Sequence, residues 1–278
     1  MTSPVRRPSR RRLRRAPSGV GRAAVSTASA VKGLPLSTAF LALGLSLTVT
    51  GCTAAGPRDT AATGPGTAQA APGRTSPSGE TSALAELPGL GTRTRSEIPA
   101  NARQVVLVTG RGRDSADSRV VLYRRTGAGW EPGETWPAHN AREGWTDDHH
   151  AGDLRSPVGV FSLTDAGGLL ADPGTALPYD RSGGFTVGGT GFEGEPLAGS
   201  FDYVIAINYN RRPGTSPLDW TRPLGDGKGG GIWLHVDHGG PTHGCVSLAE
   251  DHMRELLRTL DPGRHPVIVM GDAASLER

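Results

Sequence analysis

The residues best equipped for chemistry crowd into one stretch, "GGGIWLHVDHGGPTHGCVSLAEDH", Gly229 to His252. It holds His235, His238 and His243, Asp237, and Cys245, one of only two cysteines in the 278 residues. A thiol beside imidazoles supports nucleophilic catalysis, because a thiolate attacks carbonyl carbons and a histidine can take and return its proton. The same residue types also bind zinc, and a lone cysteine is a common core residue.

The elements around the thiol decide between these uses. Met253, Leu256, Leu257 and Leu260 follow helical i, i+3, i+4, i+7 spacing, with Ser247 and Glu250 as a capping box and "DPG" from Asp261 as the stop. Cys245 then stands two residues before a helix N-cap, where unpaired N–H groups lower a thiol pKa and hold an oxyanion. Gly244 permits a close backbone approach and aims the amides of Gly244 and Cys245 at one point. In "IWLHV" the alternation sets Ile232 and Leu234 on one face and Trp233 and His235 on the other. His235, carried on a rigid strand, is the expected general base, and His243 is the other candidate.

Short segments rich in Val, Ile, Tyr and Phe surround this stretch: "QVVLVT", "RVVLYRR", "GWEPGETW", "VGVFSL", "GFTVGG", "FDYVIAINYN", "GIWLHV" and "HPVIVM". Turn residues separate them, which indicates a mainly β domain with one C-terminal helix after the cysteine.

The N-terminal part is of another kind. Residues 1–51 carry nine of the 30 basic residues and none of the 27 acidic ones, so the rest of the chain is net acidic and nucleic-acid binding is excluded as its purpose. An arginine-rich start, the apolar run from Leu34 to Thr50 and a small-residue exit form an export signal, with "SRRRLRR" compatible with a twin-arginine route. Val49-Thr50-Gly51-Cys52 resembles a bacterial lipobox, which implies acylation of Cys52 and a membrane anchor. Residues 52–98, dominated at first by Ala, Gly, Pro, Ser and Thr, read as a disordered tether with a span of roughly 35–40 Å. The expected organisation is therefore leader 1–51, tether 52–98 and a folded domain 99–278, monomeric, outside the cytoplasm and reaching from a membrane to something beyond it. With Cys52 acylated, Cys245 has no disulfide partner.

Other motifs carry less. A metal site from Asp237, His238, His243 and Cys245, joined by His149 and His150 of "DDHHAGD", fits no closed Cys/His spacing, so no metal or cofactor is expected. "DDHH" reads as a solvated loop or one in contact with a substrate, and "GDGKGGG" fails as a phosphate loop because Gly229 follows Lys228. Trp130, Trp136, Trp145 and Trp220 suit a glycan groove or a β core equally. Tyr209 and Arg155 either shape a cleft or hold turns.

Three segments together carry a family likeness. "HVDHGGPTHGCVSL" resembles the catalytic motif of the L,D-transpeptidases (the YkuD domain), with Thr242-His243-Gly244-Cys245 its most specific part. "GDLRSPVGVFSL" from Gly152 resembles the family's "TPxGxF" strand, and "YVIAINYN" from Tyr203 a segment before its active-site loop. The resemblance implies a sandwich- or barrel-like β domain acting on peptidoglycan stem peptides. It implies that Cys245 attacks the carbonyl before a terminal D-alanine, that a thioester forms, and that an amine of a second stem resolves it into a 3→3 crosslink. His235 would move the proton, and the amides around Gly244 would hold the oxyanion. Here His235 and His243 are only eight residues apart, and Val246 and Ser247 follow the cysteine where the family often has arginine or asparagine.

Overall fold

The computed structural model describes residues 83–278; the expected leader, Cys52 and the tether as far as residue 82 lie outside the described residues. Helix α1 (Thr92–Glu97) precedes a meander of β1 (Gln104–Gly110), β2 (Asp117–Thr126) and β3 (Gly129–His139). The short strands β4 (Trp145–Thr146) and β5 (Ser156–Pro157) pair with each other. Then come β6 (Gly159–Gly168), β7 (Tyr179–Arg181), β8 (Val204–Ile207), β9 (Trp233–Val236) and β10 (Val246–Leu248). Helix α2 (Glu250–Thr259), β11 (Val267–Asp272) and α3 (Ala273–Leu276) end the chain.

Nine strands form one sheet in the order β11-β1-β2-β3-β10-β9-β8-β6-β7. Because β6 also pairs with β11, Gly159 to Ser162 against Met270 to Val267, the sheet closes on itself as a barrel and leaves β7 at an edge. Closure satisfies backbone groups that an open edge would expose.

Alternation along the strands sorts the side chains into layers. Val106, Val108, Ile205, Ile207, Leu234, Val246, Leu248, Ile268 and Met270 point into the main core, where Met253, Leu256, Leu257 and Leu260 also bury. The helical spacing read from the sequence thus faces inward in full. The intervening residues Val105, Leu107, Val267 and Val269 form a second layer with Leu87, Leu90 and Leu276.

That second layer changes the boundary of the expected tether. Leu84 exchanges two backbone hydrogen bonds with Trp130, at 2.8 and 2.7 Å, and Leu87 and Leu90 are buried, each such burial stabilising by about 1.5–3 kcal/mol. Residues 84–98 are therefore part of the folded domain. Two further expectations differ. "GFTVGG" makes a 3-10 turn at Gly183–Phe185 instead of a strand, with the Ser182 hydroxyl accepting from Gly184 N–H. The capping box also fails: α2 starts after Ala249, which makes no side-chain cap, and Ser247 lies inside β10. Three residues of strand were invisible beneath the stronger helical pattern.

A third apolar cluster lies on the outer face of β8 and β9, where Phe185, Val204, Ala206 and Trp233 meet Phe201, Leu218 and Cys245. Two loops beside it are fixed by buried polar groups. Arg211 pairs with Asp165 at 2.9 Å, both almost fully buried, and Asp165 also accepts from Gly214 N–H at 2.9 Å. Asn210, in the left-handed region at φ 43°, donates to the carbonyls of Gly225 and Gly229 and accepts from Leu224 N–H. The "INYN" segment thereby holds the loop of residues 220–231 in place.

Candidate active site

β9 and β10 are parallel neighbours, with Val246 opposite Leu234, Ser247 opposite His235 and Leu248 opposite Val236. Residues 237–245 make the return between them, short for a parallel crossover, which ordinarily takes a dozen residues or more. Gly239 turns it with φ 86°, and at Gly240 a β-carbon would sit 2.4 Å from Glu195 Oε1. Asp237 bolts the return to the sheet: its Oδ1 lies 2.9 Å from His139 Nδ1 and accepts from Ser247 Oγ at 2.7 Å. Those contacts hold the Asp237 carboxyl down at about 2 against its burial, and raise His139.

The turn carrying the thiol is pinned by two hydroxyls. Thr242 Oγ1 donates to the Cys245 carbonyl at 2.7 Å, and Ser156 Oγ donates to the Gly244 carbonyl at 2.9 Å while accepting from Ala141 N–H. Ser156 belongs to "RSPVG", so two of the three sequence segments that carried the family likeness meet here. Its role was missed, because a serine before a proline reads only as a turn. Gly244 N–H is turned to Thr242 Oγ1 at 3.3 Å, unlike the expectation that it joins the oxyanion donors. The turn's amides without a hydrogen bond among the described residues are those of His243 and Cys245.

Cys245 continues the β10 register opposite Trp233. Its Sγ accepts from Trp233 N–H at 3.4 Å and donates to the Gly231 carbonyl at 3.6 Å. No hydrogen bond joins it to a histidine among the described residues. Burial pushes the thiol up to about 11, against the Trp233 N–H that favours the thiolate. The expected lowering by a helix start does not occur, since β10 intervenes between Cys245 and α2.

His235 is buried, and its Nδ1 donates to the Val236 carbonyl at 2.8 Å, which makes Nε2 the ring nitrogen that carries the lone pair in the neutral imidazole. Its ring meets Phe201 edge-on at 5.3 Å and stacks on His238 at 5.8 Å. Burial drives it down to about 4, so it is neutral at neutral pH. Phe201 touches both Trp233 and His235, as their shared face requires. His243 is exposed and packs on Phe192, with ring centroids 4.5 Å apart.

A cavity of about 490 Å³ opens onto the thiol. Its walls are the turn from His243 to Cys245, the loop from His149 to Leu154, and the loop bearing Trp220, Arg222, Asp226 and Gly229 to Ile232. His149 therefore departs from the solvated loop expected of "DDHH". It is 6% exposed, its ring meets Tyr209 edge-on, and burial lowers its pKa. Its Nδ1 is 3.0 Å from Asp153 Oδ1, although the N–H is not aligned with that contact. Tyr209 holds turns, donating to the carbonyls of His149 and Lys228. Arg155 does likewise with Trp145 and Asp114.

The residues once grouped as possible metal ligands point to separate partners: Asp237 to His139 and Ser247, His238 to Glu195 at 3.2 Å, His150 to the Asp148 carbonyl. No group of three or more His, Cys, Asp or Glu among the described residues converges on a common point. Trp130, Trp136 and Trp145 are buried in cores, while Trp220 is 69% exposed on the cavity rim. The arrangement offers a largely buried thiol on a residue of the cavity wall, a neutral imidazole on the same sheet face, and two amides without a hydrogen bond among the described residues.

A search of curated proteins yields no match. The solved structure of Bd1075 from Bdellovibrio bacteriovorus is similar at 18% identity, over 67% of this chain and 53% of that one, with a TM-score of 0.34. The match spans about half of that protein's length, and at this TM-score it carries no argument. The family model of the L,D-transpeptidase catalytic domain, YkuD, matches residues 114–269. That range takes in both loops of the cavity, β9, β10 and the cysteine turn, and covers more than half the chain. By this match the chain belongs to the L,D-transpeptidase catalytic domain family.

Proposed function

We propose that this protein is a peptidoglycan L,D-transpeptidase that makes 3→3 crosslinks through a Cys245 thioester. The observation that carries the reading is the Cys245 thiol facing a 490 Å³ cavity with neutral His235 on the same sheet face. Sγ attacks the carbonyl between the third residue of a tetrapeptide stem and its terminal D-alanine. The thiol proton passes to His235 Nε2 and from there to the D-alanine nitrogen as the C–N bond breaks. The free amides of His243 and Cys245 are the groups placed to receive the oxyanion. An amine of a second stem then attacks the thioester, the C–S bond breaks, and the amine's proton returns to sulfur. Because the thiol starts protonated, attack and proton transfer occur together, without a standing thiolate.

We further propose that residues 1–51 direct export, that acylated Cys52 anchors a monomer to the membrane, and that the following segment carries the domain toward the wall. The lipobox-like Val49 to Cys52 and the composition of the tether support this.

The test is intact-protein mass spectrometry of the purified full-length chain after incubation with a carbapenem, with Cys245→Ala as control. A covalent adduct that vanishes in the control is expected. A folded protein that forms none would overturn the acylation step. Incubation with tetrapeptide stems then separates outcomes: crosslinked dimers support transfer, while free tripeptide alone makes the protein a hydrolase on the same scaffold.

A further inference from the structure

We infer that Arg222 binds the free carboxylate of the stem's terminal D-amino acid, and thereby restricts Cys245 to donors that end one residue beyond the attacked carbonyl. The inference deepens the transpeptidase reading and rests on it. Arg222 is the one lysine or arginine among the residues lining the thiol cavity.

Its guanidinium is held yet unpaired. One face lies over the Trp220 ring, 4.7 Å from the centroid. Nη1 donates to the carbonyls of Asp219 and Thr221, at 3.3 and 3.2 Å. Nε and Nη2 make no hydrogen bond among the described residues, and none of the described carboxylates lies within ion-pair distance. Asp219 and Asp226 are close enough to favour its charge without pairing, and the Asp219 carboxylate is engaged by Thr221 N–H at 2.8 Å. Partial burial works against the charge, a cost that an arriving carboxylate relieves.

The glycines fix where this fork lies relative to the thiol. A β-carbon on Gly230 would sit 2.3 Å from Arg222 Nε, and one on Gly231 would sit 3.5 Å from Nη2. The guanidinium therefore lies against bare backbone at Gly230 and Gly231. The carbonyl of that same Gly231 is 3.6 Å from Cys245 Sγ. Thiol and guanidinium thus flank one residue of backbone. In the donor, the attacked carbonyl and the terminal carboxylate are likewise separated by one residue, a reach of about 3.8 Å per residue. A planar fork with two free donors suits a carboxylate. A donor extended by a further residue would place an uncharged amide against the guanidinium.

The experiment compares two tetrapeptide stems, one ending in D-alanine and one in D-alaninamide, with the full-length protein and its Arg222→Gln and Arg222→Lys variants. The readout is kcat/KM for release of the terminal residue. The unaltered protein should prefer the carboxylate donor by roughly ten- to hundredfold, the range for hydrogen bonds to a charged group. Arg222→Gln should bring the carboxylate donor down to the level of the amide donor, and Arg222→Lys should retain part of the preference. Turnover of the amide donor by the variants serves as the control for folding. A preference that survives in Arg222→Gln, or an equal loss on both donors, would overturn the assignment. Failure of the unaltered protein to release either residue, or to form a Cys245 adduct, would instead remove the transpeptidase reading and this inference with it.

Discussion

His235 and Ser247 are register partners across the parallel β9–β10 ladder, and the Ser247 hydroxyl is bound to Asp237, two residues beyond His235. The base candidate and the strand that carries the thiol are thus locked together by one ladder and one carboxylate. Cys245 lies one step diagonally from His235 on the same face, while its Sγ is drawn toward Gly231 and Trp233.

The division of labour between the two histidines is open to direct measurement. His235→Ala should slow acylation of Cys245 at neutral pH by roughly 10²- to 10⁴-fold, the scale of a lost general base. His243→Ala should change it far less, since that ring is exposed and packed on Phe192. Single-turnover mass spectrometry of carbapenem acylation reads both, and the reverse ranking would assign the base to His243.

The acylation rate should depend on pH as a broad plateau. His235 must be neutral to act as a base, so the rate rises as pH passes about 4. The thiol must retain a proton for concerted transfer, so the profile bends again near 11. A profile centred on a single transition near 6.5 would indicate a thiolate–imidazolium pair in place of this neutral one.

Acid should unfold the domain through the same histidine. An unfolded histidine titrates near 6.5, whereas His235 in the fold titrates at about 4. The unfolded chain therefore binds the proton first, and stability present above pH 6.5 is lost as pH falls through 4, by about 3 kcal/mol for this group. Asp237, held at about 2, extends the loss to lower pH. Urea titrations at pH 7 and pH 4.5 check this; His235→Gln should show the smaller difference between the two.

Asp165→Ala should destabilise the fold by about 3–5 kcal/mol, because it leaves the buried Arg211 charge without its partner. The thermal midpoint reads the change. A shift within the range of ordinary surface substitutions would mean that the Arg211 carbonyl contacts in the 215–216 turn suffice alone.

Asn210→Ala should separate loop order from fold stability. It removes the contacts to Gly225, Gly229 and Leu224 that shape the cavity wall. Acylation of Cys245 should fall several-fold, with a stability loss of about 1–3 kcal/mol. Equal acylation in both proteins would show that the loop keeps its shape without the clasp.

What the chain order itself determined is local and periodic. Alternating Val and Ile residues marked β1, β2, β8, β9 and β11, the i, i+3, i+4, i+7 leucines marked α2, and "THGC" marked the turn with the thiol, because each pattern is written in neighbouring residues. Tertiary structure decided the rest. β10 is three residues long and exists only by pairing with β9 and β3, so its sequence reads as a helix cap. His149 is buried only because Tyr209 and Gly229 pack on it from 60 and 80 residues away. Leu84 to Leu90 join the core because β1 and β11 leave an apolar face uncovered. Arg222 meets the cavity of Cys245 because Asn210 folds its loop back over Gly230 and Gly231. Contacts of this kind depend on chain closure over long separations, and no local period records them.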